Sequence, residues 1–305
     1  MILVTGGLGF IGNELVRQLK SKGEQVAIID NKNRIAPAID DILDVPLYQT
    51  DITDAAAVKA VFEQVRPKVV YHLAAIHYIP ECNDNPERTL RVNVEGTSSI
   101  LNAAAATGVE KILFASSGAV YADSAGALSE QDEVAPVDIY GWSKWFGEEL
   151  CQYHHQVHKT PLVVCRLFNN YGPRETNMHI IPEVIRQISE GDRLRLGNIT
   201  TTRDYIHTSD CAQALIRLAD CANGGIQIVN VAHGHGFTVR EMIDKIEGIT
   251  VRRFTIETDT ARIRKVDKQT QVADIGLLER LTGWKPQVDI GEGLKDLLRF
   301  EGVPF

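Results

Sequence analysis

The sequence predicts an α/β protein with a doubly wound parallel sheet and a smaller α+β lobe. Two observations indicate this fold class. In the first half of the chain, short apolar runs alternate with amphipathic helical stretches, at the spacing of consecutive βαβ units. After about residue 167 this alternation stops at Gly172-Pro173, and shorter mixed elements follow. The 305 residues suffice for two such units, because domains commonly hold about 100–200 residues.

The first unit is expected to contain strands that alternate with helices. Each strand is a short apolar run, and each helix repeats its apolar residues with a helical period. The expected strands are Ile2–Thr5, Gln25–Asp30, Val45–Tyr48, Val69–Leu73, Lys111–Ser116 and Leu162–Arg166. The expected helices are Ile11–Ser21, Ala55–Val65, Asn93–Thr107 and Tyr140–His155.

The rest of the chain is expected to divide between the two units. A helix near Asp210–Asp220 and a strand near Gln227–Val231 are expected to return to the first unit. The elements expected in the lobe lie near Ile181–Glu190, Val239–Glu247, Ile275–Thr282 and Gly291–Phe300. The larger domain is thus expected to span residues 1–167 with about 207–232. The lobe is expected to span about 168–206 with 233–305.

The composition excludes several classes of function. Lys and Arg number 32 against 40 Asp and Glu, so the net charge is −8 and no general affinity for nucleic acid or anionic membranes is expected. No apolar run reaches the roughly 18 residues of a membrane span, and the first residues lack the features of a signal peptide. Five scattered cysteines without a Cys-x-x-Cys pair predict neither disulfides nor a metal site. A reducing, cytoplasmic location is the prediction.

A glycine-rich loop follows the first strand and opens the first helix. Its glycines are Gly6, Gly9 and Gly12. The turn uses the φ freedom of glycine, and the missing Cβ atoms allow a pyrophosphate to approach the backbone and the helix to pack on the strand. The phosphates would then meet the positive N-terminus of the helix. A generic tight turn is the alternative, but the position directly after the first strand favours a dinucleotide site in a Rossmann-type sheet.

Asp30 ends the second strand, eighteen residues after Gly12. An acid at this place accepts hydrogen bonds from the adenosine ribose hydroxyls and repels a 2′-phosphate. The sequence therefore predicts NAD rather than NADP as the cofactor. The alternative is an aspartate that merely caps a turn.

The glycine spacing occurs together with a second motif, Tyr140-Gly141-Trp142-Ser143-Lys144. The two motifs resemble the extended short-chain dehydrogenase/reductase family, and more specifically its nucleotide-sugar epimerase/dehydratase branch. The likeness runs through nearly the whole chain and implies an NAD-binding domain with a nucleotide sugar at the interface to the lobe. The positions that it implies for cofactor binding are Gly6, Gly9, Phe10, Ile11, Gly12, Asp30, Asp51, Ile52, Leu73, Ala74, Ala75, Asn93, Tyr140 and Lys144.

Tyr140 and Lys144 are four residues apart and therefore share one face of a helix. A free phenol has a pKa near 10, and a nearby ammonium lowers it by favouring the phenolate. Tyr140 could then accept a hydroxyl proton while hydride leaves the same carbon for NAD. Ser117 matches the family's catalytic serine and would hydrogen-bond the reacting oxygen. A chance Tyr-x-x-x-Lys pair on a solvated helix face is the alternative.

Several segments of the second half resemble the family's substrate-binding stretches. Arginine offers fixed donors to phosphate oxygens, and two arginines from different segments can clamp a diphosphate. Each of these arginines could instead form a surface ion pair, and Arg166 is expected to be structural. The positions implied to bind the nucleotide sugar are Asn169, Ile180, Arg195, Arg203, Arg264 and Asp267.

The reaction is expected to begin with oxidation at the sugar C4. Family dehydratases carry Asp-Glu directly after the catalytic serine or threonine, whereas this chain has Gly118 and Ala119. That difference favours a 4-epimerase. Glu81 and Cys82 could supply acid and base groups instead, so an unusual 4,6- or 5,6-dehydratase is the main alternative and a decarboxylase a weaker one.

The remaining expectations concern the sugar, the oligomeric state and an alternative function that is not enzymatic. Gln271 matches the position where larger side chains disfavour N-acetylated sugars, and its intermediate size leaves UDP-hexose and UDP-hexosamine open. The resemblance implies a homodimer formed through two helices of each subunit. An NAD(P)-sensing regulator would keep the glycine loop and lose the Tyr140–Lys144 pair, which is intact here.

Overall fold

The computed structural model describes residues 1–32, 41–175, 177–222, 224–263 and 268–305. Its strands are β1 Ile2–Thr5, β2 Val26–Asp30, β3 Leu47–Gln49, β4 Val69–His72, β5 Lys111–Ser117, β6 Leu162–Leu167, β7 Asn169–Tyr171, β8 Arg193–Leu196, β9 Thr202–His207, β10 Ile226–Val231, β11 Gly236–Thr238, β12 Thr255–Thr258 and β13 Thr270–Gln271. Its helices are α1 Phe10–Ser21, α2 Ala55–Val65, α3 Ile79–Asp84, α4 Pro86–Leu90, α5 Gly96–Thr107, α6 Ile139–His158, α7 Ile180–Glu190, α8 Thr208–Cys221, α9 Val239–Thr250, α10 Gly276–Thr282 and α11 Ile290–Phe300.

Seven parallel strands form the main sheet, in the order β10-β6-β5-β4-β1-β2-β3. Helices cover both faces. Residues on β1 alternate between the two cores: Val4 packs with Leu15 of α1 and Leu215 of α8, whereas Leu3 belongs to the core on the other face. A sheet buried on both faces explains why its strands consist of continuous apolar runs. The fold class predicted from the sequence is confirmed.

The chain direction across the sheet reverses at β1. β1 pairs with β2 on one side and with β4 on the other, so the connections leaving these strands diverge. In open parallel sheets, ligands bind in the crevice at such a switch point, outside the carboxyl ends of the strands. The glycine loop between β1 and α1 lies at that end.

A second, smaller assembly holds the remaining strands. β7, β11 and β13 all pair with β9, and β8 pairs with β12. Helices α7, α9 and α11 share a separate core with these strands, which includes Ile185, Ile243 and Leu294. β10 lies at the edge of the main sheet beside β6, as the sequence suggested for Gln227–Val231.

The helix expected at Asn93–Thr107 differs from the expectation at its start. A π-helical turn spans Arg91–Glu95, and α-helical geometry begins only at Gly96. The two short helices α3 and α4 were not expected, because Pro80 and Pro86 interrupt any continuous helical pattern there. Among the described residues, no helix combines the length and apolar character that a membrane span requires.

A buried ion pair joins β6 to α6. Arg166 donates to both carboxylate oxygens of Glu148, at 3.0 and 2.8 Å, and its guanidinium lies 4.6 Å from the centre of the Tyr121 ring. Both charged side chains are at most 3% exposed. Arg166 is therefore bound within the fold, as expected from the sequence.

Replacing Arg166 by methionine should lower the free energy of unfolding by about 3–5 kcal/mol, because Glu148 would keep a buried charge without its partner. Urea unfolding followed by circular dichroism measures the change. Lys68→Met is the control, since Lys68 pairs with Glu110 at 3.2 Å on the surface and its loss should cost about 1 kcal/mol or less. Equal midpoints for the two variants would contradict the argument.

Candidate active site

A large cavity of about 840 Å³ lies at the switch point of the main sheet. The glycine loop, the carboxyl ends of β4 and β5 and the N-terminus of α6 form one part of its wall. Segments of the lobe form the other part. The sequence-predicted residues that line it are Gly6, Gly9, Phe10, Ile11, Gly12, Asp30, Asp51, Ile52, Leu73, Ala74, Ala75, Ser117, Tyr140, Lys144, Asn169, Ile180 and Arg203.

The glycine loop approaches other backbone too closely for side chains. Gly6 has φ of +72°, and a Cβ there would lie 2.8 Å from the Ala74 nitrogen. A Cβ on Gly12 would lie 2.1 Å from the Gly6 carbonyl oxygen. Helix α1 begins at Phe10 after Gly9, whose position provides no capping side chain. The first N–H groups of α1 therefore remain available to an anion, and the cradle fits a dinucleotide pyrophosphate.

Asp30 is fixed at the end of β2 by two backbone groups. Its Oδ2 accepts a hydrogen bond from the Leu8 N–H, and its Oδ1 accepts one from the Lys32 N–H, both at 3.0 Å. The carboxylate is thus tied to the glycine loop while it lines the cavity. Each oxygen keeps further acceptor capacity, which suits the two hydroxyls of a ribose.

Tyr140 enters the cavity from the first turn of α6. Asp138 caps this helix by accepting a hydrogen bond from the Gly141 N–H at 2.8 Å, which fixes where the helix begins. Burial raises the pKa of Tyr140, whereas its hydrogen bond with Ser117 acts in the opposite direction. The Ser117 Oγ also accepts a hydrogen bond from the Ala119 N–H at 3.1 Å.

Lys144 lies one turn further along α6 and is buried. Its Nζ donates to the Ala115 carbonyl oxygen of β5 at 2.8 Å and lies 5.9 Å from the centre of the Tyr140 ring. Burial lowers the pKa of Lys144 to about 8. The side chains of Ser117, Tyr140 and Lys144 therefore meet in one cavity, beside the dinucleotide cradle.

Comparison with known proteins identifies the family. The model of the NAD dependent epimerase/dehydratase family matches residues 2–232. The chain belongs to this family. UDP-glucose 4-epimerase of Rhizobium meliloti (strain 1021) is 32% identical over 95% of this chain and 93% of its own length. GDP-6-deoxy-D-mannose reductase of Pseudomonas aeruginosa is 29% identical over 97% and 95%.

A solved relative extends the likeness to the whole fold. The crystal structure of the UDP-glucose 4-epimerase of Thermus thermophilus, in complex with NAD, superimposes with a TM-score of 0.88 at 28% identity. It covers 99% of both chains. The predicted cofactor, NAD, is confirmed by the family, and the cradle beside Gly6, Gly12 and Asp30 has the shape and the donors to hold it.

In this family member, Asn93 lies behind the cavity wall rather than in it. It is buried in the π-helical turn, where its Oδ1 accepts from the Ile76 N–H and its Nδ2 donates to the Ile76 carbonyl oxygen, both at 2.8 Å. The same Nδ2 donates to the Ser143 Oγ at 2.9 Å. Asn93 thus holds the loop after β4 against α6, and its contact with the cofactor stays a prediction.

A buried histidine organises the carboxyl ends of β1 and β4. The Thr5 hydroxyl donates to the His72 Nδ1 at 2.7 Å and accepts from the Ala74 N–H at 3.2 Å. The His72 Nε2 lies 3.0 Å from the Thr97 Oγ1. Burial, with the nearby Lys144, lowers the pKa of His72 to about 3, so the ring stays neutral at physiological pH.

Glu81 and Cys82 belong to α3 and do not line the cavity. Glu81 forms an ion pair with Arg88 at 2.6 Å on the exposed side of α3. Cys82 is buried beneath the loop, with its Sγ 3.6 Å from the Ile76 carbonyl oxygen, and burial raises the pKa of its thiol to about 11. Cys82 lies near enough to Tyr140 and Lys144 to affect the pKa of both. That the two residues replace the missing Asp-Glu pair stays a prediction.

Arg195 is also placed outside the cavity. It is largely exposed on β8 and lies 3.4 Å from Glu257 of β12, because alternate residues of a strand point to opposite faces. Arg262 lines the cavity instead, while donating to Glu183 at 2.8 Å. Arg264 and Asp267, which were also predicted to contact the substrate, lie outside the described residues.

Several residues of the cavity wall were not singled out from the sequence as binding groups. His77, Glu175 and His179 line the wall above β4, and the His179 Nδ1 lies 3.3 Å from the Glu175 carboxylate. Lys268 lines it beside Gln271. No spacing rule links these positions, because they meet only after the lobe has folded onto the sheet.

Gly12→Ala should remove bound NAD and lower stability, because the added methyl would collide with the Gly6 carbonyl. We expect the purified variant to retain less than about a tenth of the wild-type NAD, measured after acid release. Gly248→Ala is the matched control: it is also a helical glycine, but its Cβ would meet nothing within 4 Å. That change should stabilise the protein by about 0.5–1 kcal/mol and leave NAD bound. Full NAD content in Gly12→Ala would contradict the cradle.

Proposed function

We propose that this protein is an NAD-dependent UDP-sugar 4-epimerase that acts by transient oxidation at C4. The observation that carries the proposal is the meeting of Ser117, Tyr140 and Lys144 between the dinucleotide cradle and the lobe residues Asn169 and Arg203. The names of the relatives support a UDP-sugar substrate.

The chain's own residues perform the proton chemistry. Ser117 donates a hydrogen bond to the C4 oxygen, and Tyr140 accepts the hydroxyl proton of that carbon. The Lys144 ammonium stabilises the phenolate that results. NAD, when bound, supplies the acceptor and later the donor of the C4 hydride.

The electrostatics of the cavity give each of the three side chains a role in the proposed mechanism. Burial raises the pKa of Tyr140, so an isolated phenol in this cavity would ionise less readily than one in water and little phenolate would be present to accept a proton. The Ser117 hydrogen bond counteracts that rise. We expect the charge of Lys144, whose Nζ lies 5.9 Å from the centre of the Tyr140 ring, to act in the same direction. Lys144 donates a hydrogen bond to the Ala115 carbonyl oxygen. Although burial lowers its pKa to about 8, most of the Lys144 side chains remain protonated at neutral pH.

The turn after Ser117 disfavours elimination on steric grounds. A Cβ on Gly118 would lie 3.1 Å from the Phe168 ring and 3.2 Å from the Gln271 Nε2. A carboxylate side chain at this position would therefore require repacking of both neighbours. The absence of the Asp-Glu pair at Gly118 and Ala119 therefore favours return of the hydride to the C4 ketone over elimination.

The reductase relative favours a second candidate function. A ketoreductase would use the same three residues in reverse, with Tyr140 giving its proton to the oxygen of a 4-keto sugar. The two functions differ in cofactor balance. An epimerase regenerates its cofactor in each turnover, whereas a reductase consumes one reduced cofactor for each product.

Incubation of the protein with UDP-glucose, UDP-galactose and their N-acetylated counterparts tests both functions. An epimerase should interconvert a C4 pair without net change in absorbance at 340 nm, as followed by NMR. Tyr140→Phe should lower kcat by about 10²–10⁴-fold while NAD stays bound. Wild-type turnover in this variant would overturn the mechanism. Consumption of NADH with a supplied 4-keto sugar, and no interconversion, would favour the reductase.

We also propose that the protein forms a homodimer through α6. Four exposed apolar side chains follow one face of this helix at spacings of four, seven and four residues: Trp142, Phe146, Tyr153 and Val157. A monomer rarely exposes an apolar stripe of this length. A two-fold axis would place the same stripe of a second copy against it, since such interfaces are self-complementary.

Tyr153→Glu combined with Val157→Glu should convert a dimer into a monomer, because two charges on each subunit would face each other in an apolar interface. Light scattering after size-exclusion chromatography measures the mass. Val251→Glu is the control, since Val251 is 91% exposed away from α6 and its replacement should leave the mass unchanged. A monomeric wild type would contradict the proposal.

A cytoplasmic location remains a proposal, supported by the state of the cysteines. All five are free thiols, and four of them are buried. Free thiols persist in reducing compartments, whereas oxidising compartments favour disulfides.

A further inference from the structure

Lys268 is a buried lysine in the cavity wall that the proposed chemistry does not use. Its side chain is almost fully enclosed, yet it reaches the cavity beside Gln271. The Nζ donates hydrogen bonds to two backbone carbonyl oxygens, of Ala119 at 3.2 Å and of Tyr121. Burial of an ammonium costs free energy unless polar groups surround it, so the two carbonyl contacts offset the cost of this position.

The two carbonyls belong to the turn that carries Ser117. A 3-10 turn spans Gly118–Val120 directly after β5, and Ser117 caps it by accepting from the Ala119 N–H. The Ala119 peptide groups are thus bound on both sides, by Ser117 and by Lys268. The same Ala119 carbonyl packs against Gly141, where a Cβ would lie only 2.8 Å away. Lys268 therefore holds the peptide that separates Ser117 from the helix turn of Tyr140.

The other side of Lys268 leads directly to the lobe. Strand β13 begins two residues later and pairs with β9, with Gln271 opposite Arg203 in the register. Arg203 lines the cavity at the end predicted to bind the diphosphate. A segment of four residues thus connects the strand of Arg203 to the turn of Ser117.

The surrounding charges fit a cation that binds carbonyl dipoles rather than a carboxylate. Asp138 at the start of α6 and Asp123 beyond the turn favour the charged form, whereas Arg203 of β9 opposes it. Burial lowers the pKa of the Lys268 ammonium. Within the ranges that the structure describes, the hydrogen-bond partners of its Nζ are the carbonyl oxygens of Ala119 and Tyr121.

We propose that Lys268 is a positioning residue for the epimerase reaction. Its ammonium ties the turn after Ser117 to β13, which pairs with β9. Arg203 of β9 and the proposed catalytic residues Ser117 and Tyr140 thereby keep one fixed geometry. This inference rests on the proposed function. Lys268 acts through Ser117, and it does not transfer a proton itself. Loss of its two hydrogen bonds would leave the turn free to shift, and a shift of about 1 Å at reacting groups can cost about 100-fold in rate.

Lys268→Met and Lys268→Gln test the proposal in the full-length protein with NAD bound. Both should lower kcat for the UDP-sugar pair by about 10- to 100-fold with little change in KM. The ascending limb of the pH–kcat profile should move to higher pH, because a displaced Ser117 no longer lowers the pKa of Tyr140. Lys268→Gln keeps one amide donor and should fold even where the methionine variant does not.

Lys111→Met is the matched control. Lys111 also donates to a backbone carbonyl, that of Ala219 at 2.7 Å, but it lies at the far end of β5. Its loss should lower stability to a similar degree and leave kcat and the pH profile unchanged. Equal effects of the Lys111 and Lys268 variants on kcat would overturn the proposal, since they would reflect stability alone.

A double-mutant cycle with Ser117→Ala gives the decisive comparison. If Lys268 acts through Ser117, Lys268→Gln should change kcat by less than about threefold in the Ser117→Ala background, although it costs about 10-fold or more in the wild type. An equal loss in both backgrounds would overturn the proposal, as would a raised KM with unchanged kcat. A wild-type protein that interconverts no C4 pair would instead refute the proposed function.

Discussion

The close approach of backbone at the carboxyl ends of β1 and β4 is the constraint on which the site depends. Gly6 lies against Ala74 and Gly12 against Gly6, at distances that leave no room for a Cβ. This contact places the start of α1 beside the loop after β4, and the Thr5–His72 hydrogen bond fixes the two strand ends. Because parallel strands end at one edge, the same constraint brings Ser117 of β5 into the crevice. The position of the cofactor cradle and that of the proposed catalytic serine therefore follow from one packing arrangement.

Charge inside this acidic protein is handled locally. The net charge of −8 says nothing about a cavity whose wall holds Lys144, Arg203 and Lys268. Each buried ammonium is held by backbone carbonyls, Lys144 by Ala115 and Lys268 by Ala119. Such partners keep a cation in place without neutralising it, which leaves its field available to a phenolate or a phosphate. A carboxylate partner, such as Glu148 is for Arg166, would instead neutralise the charge of the cation.

The sequence placed at the cavity those residues whose position depends on local geometry, but it could not give side-chain directions that depend on tertiary packing. Gly6, Asp30 and Tyr140 lie at strand ends or helix starts, whose positions follow from the alternation of elements. Arg195 does not line the cavity because the pleat of β8 turns its side chain outward, a direction set by pairing with β12. The contacts of Lys268 could not be predicted for a related reason. Its partners are 149 and 147 residues away along the chain, and no periodicity connects them.

The absence of the Asp-Glu pair is linked to the packing around Gly118. Gly118 is compressed between Phe168 and Gln271, and Gln271 follows shortly after Lys268, which binds the same turn. Restoring an acid at Gly118 would push this turn away from Lys268 and so disturb Ser117. A tightly held turn serves hydride transfer in both directions, because the geometry that oxidises C4 is also the geometry that reduces it.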